Sequence, residues 1–241
     1  MKIIDDLISS LKEDSTVNEV YSCVRFTAVI SRNCGLASTL KEEHPHHTAV
    51  RGVGSLRGKP ALDLAKYANS DNLLEASIGM ATVNSLIDID IAKCTGQNAF
   101  DILAEKGKDK NVAIVGHFPG IPRLRKITKK LWVIEQHPQP GDLLAEAAEE
   151  ILPQADVIGI TGTSLINHTL EKLLDLSKGK FIVMIGPTSP LTTVLFDYGI
   201  DAIGGVKVVE PQKTIRTIAE GATYPQIEGL TKLCLTRKKG G

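Results

Sequence analysis

The stretch "DVIGITGTSLINHTLEKLL", residues 156–174, decides the fold class of this sequence. It opens with the apolar run Val157–Ile160, turns polar from Thr161 to Thr169, and continues with leucines at helical spacing. A buried strand that leads into a helix is the repeating unit of a parallel α/β sheet. The stretch therefore predicts an α/β fold for this part of the chain.

The polar residues between the predicted strand and helix allow two interpretations. Thr163 or Ser164 could cap the helix, because hydroxyl groups accept from the unpaired N–H groups at a helix start. One cap needs only one residue, however, and here several polar residues occur together. The alternative is a ligand site, because strand ends and helix starts in open α/β sheets present donors to ligands.

The composition bounds the class of protein and its partners. The 241 residues suffice for one large or two modest domains, and 42% hydrophobic with 23% charged residues is usual for a soluble globular protein. Lysine plus arginine and aspartate plus glutamate both total 28, so no net charge indicates a nucleic-acid or membrane partner. No apolar run reaches the ~18–20 residues of a membrane span. The expected partner is a small molecule, and association into a homo-oligomer is left open.

Cysteine usage and the first residues predict a cytoplasmic location. The four cysteines are scattered and form no C-x-x-C pair, which favours reduced thiols. The start "MKIIDDLISSLKEDS" has acidic residues where a signal peptide would be apolar, and its apolar residues have helical spacing.

The first half of the chain, assigned to residues 1–95, is predicted to be an α+β domain. After the N-terminal helix, alternating apolar residues predict one strand over Val20–Ile30, and Leu36–Leu40 predicts a second strand. A loop rich in glycine, proline and histidine follows, and helices are predicted over Ala61–Tyr67 and Leu73–Ile87.

The second half, residues 96–241, alternates strands and helices and predicts a Rossmann-like parallel sheet with right-handed crossovers. The break in pattern between the halves lies between Asp88 and Lys108. Apolar runs predict strands over Val112–Val115, Leu131–Ile134, Val157–Ile160, Phe181–Ile185 and Ala202–Ile203. Helical patterns lie at Leu143–Leu152, Leu165–Leu176, Leu191–Tyr198 and Gln212–Glu220.

Loops rich in glycine, proline and small polar residues follow four of these strands. They are "GHFPGIP" (116–122), "EQHPQPGD" (135–142), "TGTSLIN" (161–167) and "GPTSPL" (186–191). The carboxyl ends of parallel strands share one edge of a sheet, so the four loops are expected to line one crevice. The polar residues of the opening stretch would then form one wall of this pocket.

Glu135 lies 19 residues after Gly116, at the end of the second predicted strand. In nucleotide-binding doubly wound folds, an acid about 20 residues after the glycine loop binds the ribose hydroxyls. The loop "GHFPG" departs from the dinucleotide fingerprint, since bulky residues stand where glycines would approach a pyrophosphate. The pattern therefore favours an adenosyl nucleoside such as S-adenosylmethionine over NAD or FAD. The alternative is that Glu135 only ends a strand.

Other features carry weaker functional interpretations. The histidines of "HPHH" (44–47) could bind a transition metal, but no partner ligands accompany them and no metal site is predicted. Asn84 lies in an otherwise apolar helix, where a buried amide must either join two elements or face a site. Ser164 lacks the Gly-x-Ser-x-Gly elbow of a hydrolase nucleophile.

Four segments together resemble the heavy-metal-chelation family of bacterial and archaeal proteins. They are "DVIGITGTSLINHTLEKLL", "GPTSPLTTVLFDYGIDAIGGVKVVEP", "VIEQHPQPGD" and "EASIGMATVNSLI". The resemblance implies an enolase-N-terminal-like α+β domain followed by a Rossmann-like domain, with a site where the two domains meet. It also implies a partial likeness to Rossmann-type methyltransferases and a role in condensing or hydrolysing precursors of pterins, flavins or siderophore-like chelators.

The resemblance maps onto residues of both halves, and their roles are inferred from their chemistry. Glu135 or Asp142 would be the catalytic acid or base. Thr163, Ser164 and Asn167, with the helix start, would hold an anionic or carbonyl oxygen. The other residues expected to bind substrate or cofactor are Asn84, Gly116, Phe118, Pro119, Thr161, Gly186, Pro187, Thr188 and Ser189, and the resemblance adds Glu75 and Pro138.

The leading functional hypothesis is an enzyme that acts on a heterocyclic or amine-rich chelator precursor. The first alternative is a non-catalytic carrier or sensor that binds a metal–chelate complex. The second is an enzyme similar to methyltransferases that uses S-adenosylmethionine.

Overall fold

The computed structural model describes residues 1–42 and 49–237. The described part of the chain contains a three-stranded and an eight-stranded sheet, with helices on both. None of its helices is long and apolar enough to cross a membrane.

The first half contains an antiparallel sheet and three helices. Its elements are α1 (Lys2–Ser9), β1 (Glu19–Ser22), β2 (Phe26–Ile30), β3 (Cys34–Ser38), α2 (Ala61–Ala65) with a 3-10 turn (Lys66–Asn69), and α3 (Leu73–Leu86). The predicted single strand over Val20–Ile30 is wrong. The chain turns back between β1 and β2, which pair antiparallel from Glu19 opposite Ile30 to Ser22 opposite Thr27.

Helix α3 packs on one face of this sheet and is buried along most of its length. A Cβ atom on Gly35 of β3 would lie 2.0 Å from the Ala81 carbonyl oxygen, so only glycine lets the helix approach this closely. The opposite face of the sheet packs against residues near the end of the chain, where Phe26 and Leu36 share an apolar cluster with Ile218 and Ile227. The three-stranded sheet is therefore covered by elements from both halves.

The second half contains most of the larger sheet. Its strands are β5 (Asn111–Val115), β6 (Lys130–Glu135), β7 (Leu143–Leu144), β8 (Val157–Thr161), β9 (Phe181–Ile185), β10 (Ala202–Val208) and β11 (Leu230–Thr236), and β4 (Cys94–Thr95) joins at one edge. Its helices are α4 (Ala99–Gly107), α5 (Ile121–Leu124), α6 (Ala148–Ile151), α7 (Leu170–Leu176) and α8 (Pro211–Ala219). Short 3-10 segments lie at Ile91–Lys93, Ala145–Ala147, Leu152–Gln154, Gly162–Leu165, Thr193–Tyr198 and Tyr224–Gln226.

The strand order is β4-β11-β10-β9-β8-β5-β6-β7, and the six strands from β10 to β7 are parallel. The predicted α/β class with a parallel sheet is thus confirmed. Strands β11 and β4 were not predicted, and they add antiparallel pairs at one edge. Strand β4 lies at the end of the segment assigned to the first domain, yet it pairs with β11 in the sheet of the second half. The domain boundary at residue 95 therefore stays a prediction.

Three predicted helices begin later than expected. The segment from Leu143 starts as edge strand β7, and Leu191–Tyr198 is a 3-10 turn from Thr193. Helix α7 begins only at Leu170, because His168 adopts a left-handed backbone with φ of 59°. The His168 ring nitrogen Nε2 lies 2.8 Å from the Ala68 carbonyl oxygen of the first half. A contact between the two halves therefore determines where α7 begins, and the sequence around His168 alone does not reveal that contact.

Candidate functional site

The site lies where the strand order of the large sheet reverses. Counted from β5, the parallel strands β5 to β10 follow the order 3-2-1-4-5-6, and the reversal lies between β5 and β8. In open α/β sheets, ligands bind outside the carboxyl ends of the strands at such a point. Gly116, Glu135, Thr161 and Gly186 all stand at those ends, so the predicted common edge of the four loops is confirmed.

A cavity of about 840 Å³ opens at this edge. The first half contributes Leu40, Lys41, Glu42 and Leu73, and the second half contributes the loops that follow β5, β6 and β8. Of the residues expected at the site, the cavity is lined by Gly116, Phe118, Glu135, Thr161, Thr163, Ser164 and Asn167. The cavity thus lies between the two halves.

The fourth loop, Gly186–Ser189, shares the edge but does not line the cavity. Thr188 Oγ1 accepts from the Ser38 backbone N–H at 2.9 Å. Asn84 Nδ2 donates to the carbonyl oxygens of Leu36 at 2.9 Å and Thr188 at 3.1 Å. Of the two roles open to Asn84, the structure shows that of joining two elements, and this loop connects the halves.

Glu135 lines the cavity, but both of its carboxylate oxygens already accept hydrogen bonds from the backbone. Oε2 accepts from the N–H of His117 at 2.9 Å, and Oε1 accepts from the N–H of Gln136 at 2.7 Å. The carboxylate therefore joins the loop after β5 to the loop after β6. Each oxygen keeps a further lone pair for a ligand donor such as a ribose hydroxyl.

His117 and Asp142 form a hydrogen-bonded pair at the cavity. His117 Nδ1 lies 2.9 Å from Asp142 Oδ2, which also accepts from the Gln139 N–H at 3.1 Å. The Asp142 side chain is 2% exposed, whereas that of His117 is 33% exposed and lines the cavity. A carboxylate can only accept, so Nδ1 donates to Asp142, and in the neutral form of the ring the lone pair is then on Nε2.

Sequence reasoning assigned Asp142 to the site but not His117. The Asp142 side chain is buried and is not among the residues that line the cavity, and it contacts the lining through the His117 ring. The available signal was a histidine directly after a glycine at a strand end, in "GHFPG". Its aspartate partner is contributed by a different loop, so spacing along the chain could not reveal the pair.

The hydroxyl groups after β8 are hydrogen-bonded mainly to one another and to the backbone. Thr161 caps the 3-10 turn by accepting from the Thr163 N–H, and Thr169 is at the N-cap position of α7, so neither Thr163 nor Ser164 caps this helix. Ser164 is 1% exposed and donates to the Thr161 carbonyl oxygen at 2.7 Å, which leaves its hydroxyl unsuited to nucleophilic attack. The Thr161 and Thr163 hydroxyl oxygens lie 2.9 Å apart at the cavity.

Two charged side chains from α6 and α7 approach each other at the cavity mouth. Lys172 Nζ lies 2.5 Å from Glu149 Oε1, and both side chains are exposed. The hydrogen bond from Lys172 lowers the pKa of Glu149 below its ordinary value. Water and salt screen the attraction between these exposed side chains, so the pair adds little to the stability of the fold.

Glu75, which the resemblance singled out, lies away from the cavity lining and anchors the segment around Arg51. Its 2%-exposed carboxylate accepts from the Arg51 N–H at 2.6 Å, the Arg51 guanidinium and the Ser70 hydroxyl. Burial on its own raises the pKa of Glu75, but the bonds from Arg51 and Ser70 together hold it below its ordinary value. We therefore assign the Glu75 carboxylate a structural role.

No cluster of three or more His, Cys, Asp or Glu side chains suited to a metal occurs in residues 1–42 and 49–237. The histidines of "HPHH" at 44–47 lie outside the described residues. The four cysteines carry free thiols, and burial raises the pKa of Cys34 to about 12.

Two family descriptions match this chain and together cover nearly all of it. Residues 98–236 match the DUF364 family and residues 4–87 match the DUF4213 family, both described as "Putative heavy-metal chelation". An uncharacterized protein of Methanocaldococcus jannaschii is 26% identical over 240 residues, which cover 94% of this chain and 92% of that protein.

Two crystal structures of proteins with unknown function from the DUF364 family are similar to this chain over 98% of both lengths. The protein from Desulfitobacterium hafniense DCB-2 is 28% identical with a TM-score of 0.85. The protein from Pyrococcus horikoshii is 20% identical with a TM-score of 0.83, a likeness that shows the fold alone.

Proposed function

Because this chain belongs to the DUF364 family, described as heavy-metal chelation, we propose that it is an enzyme that condenses or hydrolyses a small precursor of a metal-chelating molecule. The observation that carries the proposal is the His117–Asp142 pair at the cavity between the halves. A buried carboxylate that fixes one imidazole nitrogen is the arrangement that general bases use in many enzymes.

In this proposal His117 Nε2 takes a proton from a hydroxyl, amine or water in the cavity. Asp142 keeps the proton of the neutral ring on Nδ1 and stabilises the imidazolium that forms. Glu135 holds the backbone N–H of His117 and so fixes the loop that carries the base. Condensation and hydrolysis both need such a proton transfer, so the pair serves either direction.

The test is conversion of small molecules from the source organism. Purified protein is incubated with a cell extract, and compounds that disappear or form are followed by liquid chromatography and mass spectrometry. We expect His117→Gln and Asp142→Asn to slow a conversion by about 10²–10⁴-fold, the usual contribution of a general base. Asp101→Asn is the matched control, because Asp101 pairs with Arg123 on the surface.

The same experiment separates the enzyme from the carrier hypothesis. A compound retained by the protein but never converted would indicate a carrier or sensor of a chelate. Conversion that persists unchanged in both variants would refute the role of the His117–Asp142 pair.

A second candidate is an enzyme that uses an adenosyl nucleoside such as S-adenosylmethionine. Its support is Glu135, which lines the cavity at the end of β6, where doubly wound folds place the acid that binds ribose. Calorimetric titration with S-adenosylmethionine, S-adenosylhomocysteine and NAD tests this candidate. Absence of heat with both adenosyl compounds, or tighter binding of NAD, would rule against it.

A further inference from the structure

The amide group of Asn167 has a fixed orientation at the cavity. Its Oδ1 atom accepts from the Thr169 hydroxyl at 2.8 Å and from the Thr169 backbone N–H at 3.3 Å. A backbone N–H can only donate, so the atom that faces it must be the oxygen and the other atom must be the nitrogen. The orientation of this amide therefore follows from its contacts.

The Nδ2 group of Asn167 is left as a donor without a protein acceptor in the described part of the chain. Among those residues, Ser189 Oγ is the buried side-chain polar atom that lacks a partner, and Asn167 as a whole is only partly buried. Asn167 lines the cavity together with Thr163. Two amide protons are thus available to a molecule bound there.

The threonine hydroxyls beside Asn167 supply one more donor. Thr161 Oγ1 and Thr163 Oγ1 share a single hydrogen bond of 2.9 Å, which uses one of their two protons. Their second proton has no acceptor among residues 1–42 and 49–237. The neighbouring Ser164 adds nothing, because it donates to the Thr161 carbonyl oxygen. This part of the wall is therefore rich in donors.

The charged residues of the cavity oppose a fully anionic ligand. Its lining contains Glu42, Glu135, Glu146 and Glu149 against Lys41 and Lys172. Like charges in a partly enclosed site disfavour binding of a further carboxylate, whereas an uncharged carbonyl oxygen accepts hydrogen bonds without that cost. The hydrogen-bond donors and the surrounding negative charge together favour a ligand group that accepts hydrogen bonds and carries no charge.

We infer that Asn167 Nδ2 and the Thr161–Thr163 hydroxyl pair form a subsite for an uncharged carbonyl oxygen, as in an amide, a lactam or a hydroxamate. The inference rests on the proposed function in that it assigns the substrate to this cavity, and it names the group by which that substrate is oriented. Amine groups elsewhere on the same molecule would face the glutamates.

The test follows the Asn167 side-chain signals in ¹H–¹⁵N spectra, assigned by triple resonance, during titration with three probes. They are acetohydroxamate as an uncharged carbonyl compound, acetate as an anion and ethylenediamine as a cation. We expect acetohydroxamate to shift the Asn167 signals saturably at millimolar concentration, the range for so small a probe. Acetate and ethylenediamine are expected to leave these signals in place.

The decisive variant is Asn167→Asp, which keeps an oxygen for Thr169 but replaces the donor by an acceptor. It should weaken acetohydroxamate binding by at least ~10-fold, because a donor is lost and a charge is added, while the melting temperature stays within a few degrees. The control Asn98→Asp makes the same change at the start of α4, outside the cavity lining, and should leave the affinity unchanged.

Unmoved Asn167 signals with acetohydroxamate, tighter binding of acetate, or undiminished affinity in Asn167→Asp would each overturn the subsite. These outcomes are independent of the extract experiment, because they report binding at Asn167 and no chemical conversion. A failed conversion assay with an intact Asn167 response would refute the proposed enzyme and leave the subsite standing.

Discussion

The loops after β8 and β9 have similar sequences, "TGTSLIN" and "GPTSPL", and yet they do different things. The first lines the cavity with half-exposed hydroxyl and amide groups. The second is buried from Thr188 onward, and Thr188 is bonded to Ser38 and Asn84 of the first half. Small polar residues at the edge of a parallel sheet therefore predict that the loop contacts something. Only its hydrogen-bond partners show whether it faces a ligand cavity or the other half of the protein.

The two loops touch each other at Gly162. A Cβ atom at this position would lie 2.6 Å from Ser189 Oγ and 2.8 Å from Ser189 N. This close approach holds one loop against the other, so the connection between the halves also supports the cavity wall. The contrast in their roles can be tested by matched substitutions in both loops.

The largest difference is expected between two asparagines. Asn84→Ala removes both bonds that this side chain donates to Leu36 and Thr188, and it should lower the free energy of unfolding by about 2–4 kcal/mol. Asn167→Ala removes only local bonds to Thr169 and should cost about 0.5–1.5 kcal/mol. Urea denaturation measures both, and equal losses would contradict the contrast.

A smaller difference is expected between two threonines. Thr188→Val leaves the Ser38 N–H without its acceptor and should cost about 1–3 kcal/mol. Thr163→Val breaks a single bond to a neighbouring hydroxyl at the cavity and should cost under ~0.5 kcal/mol. Thermal denaturation measures both losses. Equal shifts in melting temperature, or a larger shift for Thr163→Val, would contradict the roles assigned to the two loops.

The smallest expected effect concerns the pH dependence that Glu75 contributes. Its pKa is lowered in the folded chain from the ordinary value of 4.5. Its stabilisation is therefore fully present above pH ~4.5 and is lost as the pH falls through the folded pKa. Glu75→Gln should flatten the stability profile in this acidic range. Glu149→Gln is the control, since the pKa of Glu149 is lowered in the same direction but its pair with Lys172 is exposed and screened, so its loss should flatten the profile much less.

The sequence predicted the strands of the parallel sheet well because their signal is local. Strands such as β5, β8 and β9 are covered on both faces, and short apolar runs are sufficient evidence for them. Strand β7 was missed because its two residues continue directly into helical turns. The antiparallel strands β4 and β11 were missed because their pairing is non-local, from Cys94 opposite Leu235.

The location of the candidate site was predictable from the sequence, but most of the contacts within the site were not. The shared edge of the loops follows from strand direction, which the alternation of strands and helices reveals. The His117–Asp142 pair, the two backbone bonds of Glu135 and the turn at His168 all depend on residues from separate loops. Such contacts arise from the packing of the sheet and leave no periodic signal along the chain.

The apolar cluster that joins Phe26 and Leu36 to Ile218 and Ile227 has a consequence for synthesis of the chain. A polypeptide leaves the ribosome from its N-terminus, so the three-stranded sheet emerges long before α8 can cover it. Until then one apolar face of that sheet stays open to water or to a chaperone. Chains that stop short of α8 would keep this face exposed and would be prone to aggregate, even though every residue of the first half is present.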